Sequence, residues 1–127
     1  MEKFYLTGTD ISPEISLEQN GNLIIKGTSI PENSEEVYRP VLLWLRNYAP
    51  NPAPTTNLEV QLDYFNTSSS KFLLEILRII KQIQDSQKPV LIKWCYYSDD
   101  PDMMESGQDF MDILELQMEM IAIPEDN

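Results

Sequence analysis

The run Asn57-Leu58-Glu59-Val60-Gln61-Leu62-Asp63-Tyr64-Phe65-Asn66-Thr67-Ser68-Ser69-Ser70-Lys71-Phe72-Leu73-Leu74-Glu75-Ile76-Leu77-Arg78-Ile79-Ile80 changes its hydrophobic period once, at the Asn-Thr-Ser tract. Before that tract Leu58, Val60 and Leu62 alternate with Glu59, Gln61 and Asp63, the two-residue period of a strand over 57–65. After it Phe72, Leu73, Ile76, Leu77, Ile79, Ile80 and Ile83 form one wide stripe, with Glu75, Arg78, Lys81, Gln82 and Asp85 opposite. That spacing predicts a helix over 71–86 whose Ile76 and Ile80 are buried. The five polar residues 66–70 read as a hinge between the two. Val90 to Tyr97 follows and is almost continuously apolar, as a strand covered on both faces would be. Strand, helix and strand in this order predict a right-handed crossover joining two parallel strands.

On the N-terminal side, residues 13–28 read as a hairpin, with strands at about 14–19 and 23–28 around Asn20-Gly21-Asn22. Asn33, with Glu36 three residues on, opens a helix over 34–48 that buries Val37, Tyr38, Val41, Leu42, Leu45 and Tyr48. Pro40 either kinks that helix or begins its main part as a first-turn proline. Pro50, Pro52 and Pro54 end it in a loop. Towards the C-terminus a third helix is expected over 102–115, and 118–123 is either a strand or a packed tail. The expected fold class is α/β: a small single domain over 1–127, with a mixed β-sheet and helices packed on it.

Composition narrows the function. The chain has 127 residues, 42% hydrophobic and 24% charged, which suits one globular domain and is too apolar for disorder. Nine basic against 21 acidic residues give a net charge of -12, which opposes binding to nucleic acid or anionic membranes. The absence of histidine excludes Ser-His-Asp and Cys-His catalysis and His-ligated zinc. With Cys95 the sole cysteine, there is no intrachain disulfide and a reducing compartment fits best. The start Met1-Glu2-Lys3-Phe4-Tyr5-Leu6 lacks a signal peptide's apolar stretch, and Val41–Leu45 is far too short to span a bilayer. A cytoplasmic location without membrane insertion is expected, and no cofactor or metal.

Two segments carry chemistry. Asn66-Thr67-Ser68-Ser69-Ser70-Lys71 lies where a strand's carboxyl end meets a helix N-terminus, the place open α/β sheets use for function. A phosphate on a hydroxyl there would meet free backbone N–H groups and a positive dipole end. The plainer reading makes Asn66 or Thr67 only an N-cap. Asn66-Thr67-Ser68 also fits the N-glycosylation pattern, which the absence of any sign of secretion sets aside. The second segment is acidic: no Lys or Arg follows Lys93, whereas Asp99, Asp100, Asp102, Glu105, Asp109, Asp112, Glu115, Glu119, Glu125 and Asp126 do. It is not an EF-hand, since Met104 occupies a ligand position. It reads as a solvated face or as a docking surface for a basic partner. Cys95, Trp44 and Trp94 read as core. Met103, Met104, Met111, Met118 and Met120 read as core or as an adaptable surface.

Three tracts together resemble one family. Gly27-Thr28-Ser29-Ile30-Pro31-Glu32-Asn33-Ser34 with Tyr38-Arg39-Pro40 and Trp44-Leu45 form the first. Leu62 to Lys71 is the second. Trp94-Cys95-Tyr96-Tyr97, followed by Asp99-Asp100, Asp102-Met103, Glu105-Ser106-Gly107 and Asp109-Phe110, is the third. They resemble the SiaC family of regulatory phosphoproteins over nearly the whole chain. The resemblance implies a fold like the STAS domains of anti-sigma-factor antagonists. It implies Thr67 as phosphate acceptor, with Ser68 as the alternative and Asn66, Ser69, Ser70 and Lys71 around it. It also implies a serine/threonine kinase, a metal-dependent phosphatase, and a diguanylate cyclase that the unmodified form binds and activates to promote biofilm formation. Asp99, Asp100, Asp102, Glu105 and Asp109 are the candidate partner surface. The alternatives are a constitutive scaffold and a small metal-dependent hydrolase using the acidic cluster.

Overall fold

The computed structural model describes residues 2–125. Strand β1 (Phe4–Leu6) pairs antiparallel with β2 (Glu14–Leu17), and β2 pairs antiparallel with β3 (Asn22–Ser29). From β3 onward the sense changes. Strands β4 (Thr56–Phe65), β5 (Val90–Tyr97) and β6 (Glu119–Ile123) each run parallel to the strand before. The spatial order is the chain order, β1-β2-β3-β4-β5-β6. Three helices fill the parallel crossovers: α1 (Ser34–Tyr48), α2 (Thr67–Asp85) and α3 (Pro101–Leu114).

This topology decides where the core lies. Each crossover moves one strand in the same direction across the sheet. Right-handed crossovers of that kind set every helix on the same face. Burial alternates accordingly: Leu23, Ile25, Leu58, Val60, Leu62, Ile92 and Trp94 point under the helices and are almost wholly buried. Ile76 and Ile80 of α2 meet them and are buried as their spacing predicts. The opposite face carries Ile24, Leu91, Lys26 and Glu59, more open to water. The turn into β3 needs its glycine. Gly21 has φ +97°, and a Cβ there would come within 2.1 Å of the Thr55 carbonyl oxygen.

The mixed sheet and the helix over 34–48 match the sequence reading, and three details differ. Segment β1 is a strand that three residues of weak pattern did not announce. Residues 119–123 are a strand, resolving the open alternative, because parallel pairing with β5 satisfies their backbone. Helix α2 starts at Thr67 rather than at Lys71, so the presumed hinge 66–70 is a cap and a first turn. Pro40 lies inside α1, which continues through it. It occupies an exposed position, where water can take the Glu36 carbonyl that its missing N–H leaves free. Cys95 is 6% exposed on the open face, flanked in register by Gln61 and Ile121. Burial, together with Glu59 and Glu119, pushes its thiol pKa up against the pull of Lys93, which keeps it inert.

Helix α3 sits close on β5 at one point. The Trp94 indole N–H donates to the Met103 carbonyl at 2.9 Å, and the ring meets Phe110 edge-on at 5.6 Å. A Cβ on Gly107 would lie 2.6 Å from the Trp94 ring and 2.8 Å from Met120. Gly107→Ala should therefore lift α3 from the sheet and cost about 1–3 kcal/mol. Thermal unfolding followed by circular dichroism checks this, with a lowered Tm as the expected outcome.

Candidate functional site

The parallel strands β3, β4 and β5 end on one edge of the sheet, and the three helices begin there. Each helix starts from a side-chain cap. Asn33 Oδ1 accepts from Glu36 N–H at 3.3 Å, Asn66 Oδ1 from Ser69 N–H at 2.9 Å, and Asp100 Oδ1 from Met103 N–H at 3.1 Å. The caps satisfy donors that the first turn of a helix leaves without acceptors. A register shift between Gly27 and Thr28 sets Ser29 opposite Phe65, so β3 and β4 finish level.

Between α1 and α2 the hydroxyls form two connected chains. In the inner one Ser69 Oγ donates to the Ser29 carbonyl at 2.9 Å. Ser29 Oγ donates to Ser69 Oγ at 2.8 Å, and 2.6 Å separates Ser29 Oγ from Tyr38 Oη. Each hydroxyl has one proton, so with those of Ser69 and Ser29 already placed, Tyr38 must be the donor to Ser29. Ser29, Tyr38 and Ser69 are each fully buried. Tyr38 also stacks on Phe72 of α2, with ring centroids 5.4 Å apart. In the outer chain Ser68 Oγ donates to Asn66 Oδ1 at 3.0 Å and lies 2.6 Å from Ser34 Oγ. The same count makes Ser34 the donor to Ser68.

These bonds sort the four adjacent hydroxyl residues. Ser69 is buried and fully engaged. Ser68 is exposed but holds two partners. Ser70 is half-buried, and its backbone N–H donates to the Asn66 carbonyl. Thr67 is exposed and is the first residue of α2. Among the described residues its hydroxyl takes part in none of these bonds. The backbone N–H groups of Thr67 and Ser68 point out of the helix end without intrahelical acceptors. Lys71, four residues on, shares the face of Thr67 and is exposed.

The acidic candidates divide in two. Asp100 is half-buried and its carboxylate serves as the α3 cap. Asp99 is exposed in the turn beside it. Asp102, Glu105 and Asp109 are exposed and spaced by three and four residues, so they form one acidic stripe on α3. Asp126 lies outside the described residues. Among the described residues no three acidic or thiol side chains converge as metal ligands would. Met103 and Met118 are buried, and Met111 and Met120 pack partly buried against the core, so most of the methionines belong to the interior.

Sequence reading placed Thr67 at a strand-to-helix junction but missed its link to α1. Pro31-Glu32-Asn33-Ser34 reads locally as a turn and a cap. That Ser34 reaches Ser68, and that Tyr38 is linked to Ser69 through Ser29, follows only from the parallel pairing of β3 with β4. The one sequence signal was the density of hydroxyl residues in both tracts.

Fold and site together describe a small regulatory domain: an α/β layer that presents the exposed, unbonded Thr67 hydroxyl on a capped helix end. The chain belongs to the SiaC family of regulatory phosphoproteins, whose model matches residues 6–123. The chain is therefore a regulator rather than a catalyst. An uncharacterised protein of Pseudomonas aeruginosa is 30% identical over 111 residues, covering 87% of this chain and 88% of that protein. The crystal structure of apo-SiaC from Pseudomonas aeruginosa matches with a TM-score of 0.87 at 28% identity, over 96% of this chain and all of that one. SiaC from the same organism, in complex with the diguanylate cyclase SiaD that it activates, matches with a TM-score of 0.87 at 27% identity, over 94% and 99% of the two chains.

Two outcomes check the site geometry. Asn66→Ala removes a cap that also holds Ser68, and should cost about 1–2 kcal/mol in denaturant unfolding, more than Asn33→Ala. Burial raises the pKa of Tyr38 above 10.0, although its bond to Ser29 and the nearby Ser69 hydroxyl oppose the shift. Above that pH the unfolded phenol ionises while the folded one stays neutral, so the folded state binds more protons and stability falls as pH rises. Tyr38→Phe should flatten this alkaline loss in pH-dependent unfolding.

Proposed function

We propose that this chain is a partner-binding signalling protein switched by reversible phosphorylation of Thr67, whose unmodified form engages and activates a diguanylate cyclase. The observation that carries the reading is the exposed, uncommitted Thr67 hydroxyl on the first turn of α2, in a chain of a regulatory phosphoprotein family. The complex of SiaC with SiaD supports a cyclase as the effector. A serine/threonine kinase would add the phosphate and a metal-dependent phosphatase would remove it, and such partners would work with the protein in the cytoplasm. Among the described residues no helix is long and apolar enough to cross a membrane.

The chemistry of the site fits this role. Phosphorylation adds about -1.5 to -2 charges at neutral pH. The free N–H groups at the start of α2 and the positive end of its dipole accept that charge, and Lys71 on the same face adds a cation. The fold should therefore survive modification. The surface would change, because a hydrated dianion stands where a partner must approach. The acidic stripe Asp102, Glu105 and Asp109, with Asp99, extends this surface and suits a partner carrying basic groups.

Binding of a diguanylate cyclase before and after stoichiometric phosphorylation is the test. A loss of ~3 kcal/mol at the junction would weaken affinity about a hundredfold. Thr67→Ala should abolish phosphorylation and leave binding largely intact. Equal affinities of the two forms, or a phosphate mapped outside 66–70, would contradict the reading. Charge reversal at Asp102 and Glu105 should slow association at low salt, measured by stopped flow, with the difference shrinking as salt is raised.

A further inference from the structure

Four hydroxyl residues stand side by side at 67–70, and a kinase that reaches one reaches its neighbours. Ser69 is excluded by burial and Ser70 is half-buried. Ser68 and Thr67 are both exposed to solvent, so exposure does not separate them. Hydrogen bonding does. The single Ser68 proton is directed to Asn66 Oδ1 at 3.0 Å, and one oxygen lone pair receives the Ser34 hydroxyl at 2.6 Å. Asn66 Oδ1 also holds Ser69 N–H, so both of its lone pairs are occupied and its orientation is fixed. Ser34 itself is 5% exposed, held in the first turn of α1, and reaches across from a different helix.

We infer that Ser34 is the residue that determines acceptor specificity: by holding the Ser68 hydroxyl, it leaves Thr67 as the one exposed hydroxyl of the four that is free to take the phosphate. The inference rests on the reading of Thr67 as acceptor and adds what selects it. In the transfer the Thr67 oxygen forms a bond to the γ-phosphorus of a nucleoside triphosphate. The bond from that phosphorus to the β–γ bridging oxygen breaks, the nucleoside diphosphate leaves, and the hydroxyl proton goes to a base of the kinase. Ser68 could follow the same path only by giving up its bond to Asn66 and turning away from Ser34. Releasing Ser34 removes one of these two restraints and lets the Ser68 side chain rotate.

The test uses the full chain in two measurements. Wild type, Thr67→Ala, and Thr67→Ala combined with Ser34→Ala are expressed in the native cells, and the phosphate is mapped by tandem mass spectrometry. Wild type should carry it on Thr67, and its absence there would sink the acceptor reading itself. With that arm positive, Thr67→Ala should carry almost none on Ser68. The double variant should carry roughly tenfold more, the factor that one hydrogen bond of ordinary strength converts to. Equal phosphate on Ser68 in the two variants would overturn the role of Ser34. The second measurement needs no kinase. Side-chain couplings of Ser68 in solution NMR should report one rotamer in wild type and averaging in Ser34→Ala, and averaging in wild type would overturn the lock directly.

Discussion

One carbonyl oxygen ties the architecture together. The Ser29 C=O, at the end of β3, accepts the Asn66 backbone N–H at 3.1 Å and the Ser69 hydroxyl at 2.9 Å. The first bond closes the parallel pairing of β3 with β4 at its last residue. The second bolts the first turn of α2 to the neighbouring strand. A buried carbonyl has two lone pairs, and leaving either empty costs stability, so this oxygen fixes both the register of the strands and the place where the helix begins. The Tyr38 phenol then joins α1 to the same point through Ser29 Oγ. Among the described residues no buried side-chain nitrogen or oxygen lacks a partner. A fully satisfied polar network of this kind rigidifies what it touches.

The proposed function follows from what the network leaves out. It consumes the hydroxyls of Ser29, Ser34, Tyr38, Ser68 and Ser69 and the cap Asn66, and it stops at Thr67. The result is a fixed helix end on which Thr67 is the exposed hydroxyl left unbonded. Such an end is electrostatically prepared for an anion, so adding a phosphate there does not oppose the helix beneath it. In the proposed switch the signal would thereby be confined to the surface. The charge of the chain, -12, gives the same division of labour on a larger scale. In the proposed switch the acidic stripe of α3 would set the sign of the field a partner meets, and a phosphate on Thr67 would change it locally.

Much of this was legible in the sequence, and the rest was not for physical reasons. The strand–helix–strand unit around Thr67 was readable because Leu58, Val60 and Leu62 repeat every two residues, while Ile76, Ile80 and Ile83 follow the helical turn. Those periods come from one-sided burial, which is a local property. The true start of α2 was hidden because Thr67, Ser68, Ser69 and Ser70 are weak helix formers that favour caps and turns. They are helical here because Ser69 is held by Ser29 and Ser68 by Ser34, residues 40 and 34 positions away. No window along the chain contains both partners. Strand β1 was missed for a similar reason: three residues carry no period, and β2 defines them by pairing. Asp100 stood among the candidate partner residues by its charge, its place after a strand and its match to the family motif; that its carboxylate also caps α3 follows from the folded geometry.

The central claim is that phosphorylation at Thr67 alters the surface and leaves the helix end in place. Amide hydrogen exchange on the chain with and without phosphothreonine at 67, installed during synthesis, tests it most directly. The account predicts that α2, β4 and the end of β3 keep their protection, with any change limited to slower exchange at the N–H groups of residues 67 and 68. Loss of protection through the first two turns of α2, or along the ladder joining β3 to β4, would show that the modification melts the junction and would contradict it.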